Sequence, residues 1–255
     1  MDLGTRTPLL DSFKRGDAPR DIRLLAAAGG LAPRALEQVE ILLLMREDAD
    51  AEVAATAERT LENLDAAGVA GFLARPEASA EAHAYFAARG IVPAAAPSGD
   101  GDLPLVDTGG DELEPAVEER EDSTLQRIAA MNVAKRIALA MKGTREERAI
   151  LIRDPNRIVT AAVLSSPKMT ETEIAGIARM ANVSEDVLRT ICNNRAWLKN
   201  YAVALSLVKN PKTPVALSMN LLARLNDKDL RMMSTDRNIP DALRVNARMK
   251  VVVGG

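Results

Sequence analysis

The sequence predicts an all-α protein made of two short helical-repeat modules of the α-solenoid type, joined by a disordered acidic linker. Three observations carry that expectation. The 255 residues are 47% hydrophobic but only 2% aromatic, so the apolar content is mostly Ala, Leu, Val, Ile and Met, side chains that suit helices. Polar breaks recur every 28 residues in the C-terminal half. A stretch rich in Pro, Gly and acid, with no periodicity, separates the two halves.

Charge sets the boundaries. Residues 1–92 hold ten Lys/Arg against fifteen Asp/Glu, net −5, and form the expected N-terminal module. Residues 93–123 hold one Arg against ten acids, net −9, and read as the linker. Residues 124–255 hold 22 basic and 11 acidic side chains, net +11, and form a basic C-terminal module.

In the first module, helices are expected over 19–28 and 33–46, broken by Gly29-Gly30. Asp48-Ala-Asp-Ala-Glu-Val53 reads as a repeat start, with a helix running to about Leu64. The stretch from Asn63 aligns with that from Asp154, bringing Arg75-Pro76 over Ser166-Pro167. A further helix over 80–89 carries the single histidine, His83.

The second module is organised by breaks at Asp154-Pro155, Asn182-Val183, Asn210-Pro211 and Asn238-Ile239. Stacked at that period, the sixth column holds Val159, Val187, Val215 and Leu243, and the tenth Val163, Ile191, Met219 and Ala247. Positions four apart share one helix face. Ile174, Ala202 and Leu230, with Ile177, Leu205 and Met233, form the i, i+3 face of a second helix, so each repeat reads as a helical hairpin. Thr144-Arg-Glu-Glu147 and Thr170-Glu-Thr-Glu173 have the form of capping boxes. Pro214 is expected at a first helical position, and Leu221-Leu222 replaces the polar turn of the other copies, extending that helix to Leu225.

The Asp-Pro-x-x-x-Val start, the Ser-Pro-Lys-Met-Thr centre and the Asp48-Ala-Asp-Ala-Glu-Val form resemble HEAT-like and leucine-rich-variant helical repeats of bacterial proteins, over about 48–90 and 144–250. The resemblance implies a binding surface and supplies no catalytic residue. Some leucine-rich-variant proteins carry an iron–sulfur module, from which this chain departs by having one Cys.

Composition excludes several chemistries. Six aromatic rings cannot build a base-stacking platform, and one Cys with one His cannot form a Cys/His zinc site, an iron–sulfur cluster or a disulfide framework. No apolar run reaches membrane-spanning length and residues 1–6 lack a signal pattern, so a cytoplasmic protein without membrane partners is expected. No catalytic residue, cofactor or metal site is expected, and the reading is non-enzymatic.

The repeat columns act as internal controls for each conspicuous residue. Trp197 shares its column with Met169 and Leu225 and is expected in the core. Cys192 falls in a half-buried column with no histidine near it in sequence, and is expected to be inert. Tyr201 shares a column with Glu173 and Asp229, and Lys199 replaces Glu171 and Asp227. Arg195, Lys199 and Tyr201, with Arg231 and Arg237, are therefore the candidate partner-binding residues, since exposed Arg and Tyr are favoured interface anchors. The Asp/Asn residues at 154, 182, 210 and 238 are read as turn and cap chemistry.

The expected function is a scaffold or adaptor that binds a protein partner, an acidic one included. The alternative is a nucleic-acid-binding module in the basic half, against which the cations fall in different repeat columns rather than tracking a phosphate backbone. An enzyme resembling HEAT-like DNA glycosylases would need exposed aromatics beside a carboxylate. The acidic linker has a further expected option, folding back onto the basic module and competing with a partner.

Overall fold

The computed structural model describes residues 7–32, 34–96, 103–106 and 121–253, the side chains of 121–123 and 252–253 excepted. Among these residues the chain is all-helical, with sixteen α-helices, two short 3-10 turns and no strand. No described helix is long and apolar enough to cross a membrane. The helices fall into two compact units, Met1–Lys168 and Met169–Gly255.

The first unit contains α1 (Pro8–Lys14), α2 (Arg20–Ala27), α3 (Ala35–Arg46), α4 (Ala51–Glu62), α5 (Ala66–Leu73), α6 (Ala80–Ala87), α7 (Glu121–Ala130), α8 (Val133–Lys142), α9 (Arg145–Leu151) and α10 (Arg157–Ser165). Side-chain oxygens start most of them: Thr7 caps α1, Asp50 α4, Asp65 α5, Ser79 α6, Asn132 α8 and Asn156 α10. Thr144 and Glu147 make the expected capping box at α9. Each such oxygen satisfies a first-turn N–H that has no partner within its helix.

Two helices are buried on nearly every side and organise the rest. α3 buries Val39, Ile41, Leu42, Leu43 and Met45 along with Glu37 and Gln38, and packs against α1, α2, α4 and α6. α10 is buried from Ile158 through Ser165 and packs against α8, α9 and α1. The Leu9 amide, in the first turn of α1, donates to Ser165 Oγ at 3.0 Å. The compact units thus divide at Lys168/Met169, whereas composition placed modules at 1–92 and 124–255. The physical reason is the all-round apolar surface of α10, which α1 helps to cover with Leu9, Leu10 and Phe13. α1 itself is a short helix that the repeat pattern did not anticipate. Most of the stretch expected to be disordered, at 97–102 and 107–120, lies outside the described residues.

The second unit contains α11 (Glu171–Arg179), α12 (Glu185–Asn193), α13 (Tyr201–Lys209), α14 (Val215–Leu221), α15 (Asp227–Thr235) and α16 (Asp241–Val253), with 3-10 turns at Trp197–Lys199 and Leu222–Arg224. Thr170 and Glu173 form the second capping box, and Ser184, Asn200 and Asn226 cap α12, α13 and α15. α13 packs on α11, α12 and α14, and α16 packs on α14 and α15. Trp197 is fully buried at its 3-10 turn, where the column comparison placed it.

The sixth column departs most from expectation. Val159, Val187 and Leu243 are buried, but Val215 is 41% exposed. Pro214 is the N-cap of α14 rather than its first helical residue. Val215 therefore opens its helix, whereas Val187 is the third residue of α12, so the third copy starts two residues late. A two-residue delay turns a helical side chain by about 200°, which moves Val215 off the core face and brings Ser218 and Leu221 onto it. α14 ends at Leu221, and a 3-10 turn continues the path to Arg224 in place of the α-helix expected to reach Leu225.

Candidate protein-binding surface

All five residues singled out from sequence are exposed in the second unit: Arg195 and Lys199 around the first 3-10 turn, Tyr201 at the start of α13, Arg231 on α15 and Arg237 just beyond it. No hydrogen bond or ion pair joins them to one another among the described residues. Tyr201 is 39% exposed, and its hydroxyl is tied down. Its hydroxyl donates to the Asp229 carboxylate and accepts from the Asn226 amide at 3.2 Å, so it bridges to the capped start of α15. Burial and the Asp229 hydrogen bond push its pKa upward, against the opposing Asn226 amide.

At Tyr201 the surface opens into a cleft of about 350 Å³ that runs along α13 and is lined also by Arg179, the last residue of α11. Ala202, Leu205 and Pro211 give its lining apolar surface, and Arg179 and Lys209 add two cations to it. Arg179 Nε donates to Ser206 Oγ at 3.2 Å, and Ser206 Oγ donates in turn to the Ala202 carbonyl at 2.6 Å. Asn210 fixes the rim: its Nδ2 donates to the carbonyls of Ala178 and Met180 at 2.8 and 3.0 Å, and its Oδ1 accepts from the Lys212 amide at 3.0 Å. The sequence reading assigned Ala202 and Leu205 to a core face, yet both are only half-buried. The missed signal was Asn210, the one break residue of its column that is buried.

The break residues lie at turns, Asn182 and Asn238 within them, and two of the four accept a backbone amide. Asp154 accepts from the Asn156 amide at 2.8 Å, as Asn210 does from Lys212, while Asn182 and Asn238 are exposed. Cys192 is buried, and burial pushes its thiol up to about 11 despite the opposing charge of Arg189.

Several cations of the basic half are spent on backbone carbonyls. Lys168 Nζ donates to the Lys142 carbonyl at 2.6 Å, Lys212 Nζ to Val183 at 3.3 Å, Arg224 to Leu198 at 2.8 Å and Arg248 to Ser234 at 3.3 Å. Others pair with acids, as Arg136 does with Asp154 and Arg127 with Glu147. Cations near the carbonyl ends of helices are favoured by the helix dipole, which gives part of the charge excess a structural origin.

The first unit holds a feature that the sequence reading did not anticipate. Gln38, 1% exposed within α3, accepts at Oε1 from the amides of Leu105 and Val106 at 2.6 and 2.9 Å. Its Nε2 donates to the carbonyls of Gly29 and Val106 at 2.9 and 3.2 Å. A described piece of the acidic stretch, residues 103–106, therefore lies on the N-terminal helices. A polar residue inside the apolar run of 35–46 was the available signal.

No protein-family model, curated protein or solved structure matches the chain.

Proposed function

We propose that this chain is a non-catalytic adaptor, a cytoplasmic α-solenoid of HEAT-like repeats, that binds a protein partner through the surfaces of its helical hairpins. The observation that carries the reading is the Arg179–Leu205–Lys209 cleft, whose lining combines two cations, aliphatic side chains and an exposed tyrosine ring. That combination suits a peptide segment with aliphatic and acidic side chains together. The repeat reading draws support from hydrogen bonds that span close to one period: Tyr201 to Asp229, Arg179 to Ser206 and Lys212 to Val183.

Nucleic acid is the second reading, favoured by the net charge of +11 in residues 124–255. Its weight is reduced by the cations committed to carbonyls and carboxylates. Titrating the full chain with labelled acidic-aliphatic peptides, duplex DNA and single-stranded RNA at two salt concentrations separates the two. Peptide binding lost in Leu205→Asp supports the adaptor. Nucleic-acid binding that falls steeply with salt and is unaffected by Leu205→Asp overturns it.

A further inference from the structure

We infer that the groove around Gln38 is a binding site for a bent aliphatic peptide segment, and that residues 103–106 are its resident occupant, a competitor built into the chain. This lies in the first unit and is independent of the cleft described above.

The geometry is that of backbone recognition. One primary amide makes two hydrogen bonds through its oxygen and two through its nitrogen, so Gln38 is fully satisfied only while the segment is present. Three of those four bonds go to backbone groups of Leu105 and Val106, whose successive amides converge on one oxygen because the segment bends there, a backbone pattern that a peptide adopting the same bend offers. Selection of side chains falls to the glycines. Gly29 adopts φ +85°, and a Cβ there would lie 2.9 Å from the Val106 Cβ. A Cβ on Gly68 would lie 3.2 Å from Leu105 Cδ2. Bare backbone at both places admits close approach of aliphatic side chains.

The resident does not fill the space. A cavity of about 460 Å³ continues beside it, with Leu105 and Val106 in one wall and Thr56, Arg59, Thr60 and Asn63 among its other lining residues. Arg59 donates only to Ala55 and Thr56 of its own helix and has no carboxylate partner among the described residues. The sequence around the segment, Asp102-Leu-Pro-Leu-Val-Asp107, places an acid on either side of the aliphatic core. The ligand class is thus a short aliphatic peptide able to adopt the same bend, with flanking carboxylates for Arg59 to meet.

The probe is a labelled synthetic peptide with the sequence of residues 100–109, followed by fluorescence polarisation on the full chain. In a chain with 103–106 replaced by Gly-Ser-Gly-Ser, the peptide binds at least tenfold more tightly than to the unaltered chain. Adding Gln38→Leu to the replaced chain removes that gain. A replaced chain that remains helical by circular dichroism and binds no tighter than the unaltered one overturns the inference. Hydrogen exchange on the unaltered chain gives a reading that needs no variant. Excess unlabelled peptide speeds exchange at the Leu105 and Val106 amides, while a scrambled peptide does not. Exchange at those amides as slow as in α3, and indifferent to peptide, shows a fixed strap and overturns the proposal.

Discussion

Ser165→Ala tests how the first unit is held together. Ser165 is fully buried, and its Oγ is the acceptor for the Leu9 amide, a first-turn donor with no partner within α1. The substitution removes almost no volume but leaves that amide unpaired between two fully buried residues. Stranding a buried donor costs about 1–3 kcal/mol. At about 2 kcal/mol, the melting temperature of a unit this size falls by roughly 4–8 °C. The same energy speeds local opening by roughly thirtyfold, and the change should appear at residues 8–14, which precede the mutation by some 150 positions. Hydrogen exchange read by mass spectrometry, with chemical denaturation alongside, measures both. If residues 8–14 keep their protection while α10 loosens, α1 does not depend on α10, and the composition-based division into modules 1–92 and 124–255 is the better description.

Tyr201→Phe deletes a hydroxyl that holds both Asp229 and the Asn226 amide, and should lower stability by about 1 kcal/mol, reduced from a buried value by the ring's exposure. Loss of partner binding with unchanged stability would instead make the hydroxyl a direct partner contact. Cys192, with its thiol pushed up to about 11, should resist a disulfide reagent at pH 8, where about one thiol in a thousand is ionised. Labelling as fast as in a denatured sample would contradict its burial. Tyr85 is raised to about 12, first by burial and then by its hydrogen bond to Glu58, against Arg89 and Arg46. The folded state thus binds this proton more tightly than the unfolded chain, whose tyrosines ionise near about 10. The resulting stability is complete below pH 10 and is lost as pH rises toward 12; a phenolate ultraviolet band for Tyr85 near pH 10 in the folded chain would refute this.

The parts of the fold legible in sequence were those fixed by neighbouring residues. Both capping boxes formed because Thr and Glu three residues apart answer each other within one turn. Trp197 was placed by comparison with Met169 and Leu225, and all three are buried. Val215 escaped the same comparison because a column assumes that every copy starts its helix at the same place, and Pro214 delays this one. α1 was missed because its reason for existing is an apolar face more than 140 residues away, on α10. Gln38 was missed for a related cause. A polar side chain in an apolar helix reads as an exposed position until the Leu105 and Val106 amides that occupy it are known.

The contact of α1 with α10 has a consequence for covalent continuity. The chain between α6 and α7 connects helices that are already held by packing elsewhere, through α1 on α10 and α2 on α8. A single cut between residues 107 and 120 should therefore produce two bands on a denaturing gel but one species by gel filtration. The two fragments, expressed separately, should find each other in solution. What composition marks as a tether would then be dispensable as a tether, and its sequence free to be selected for something else.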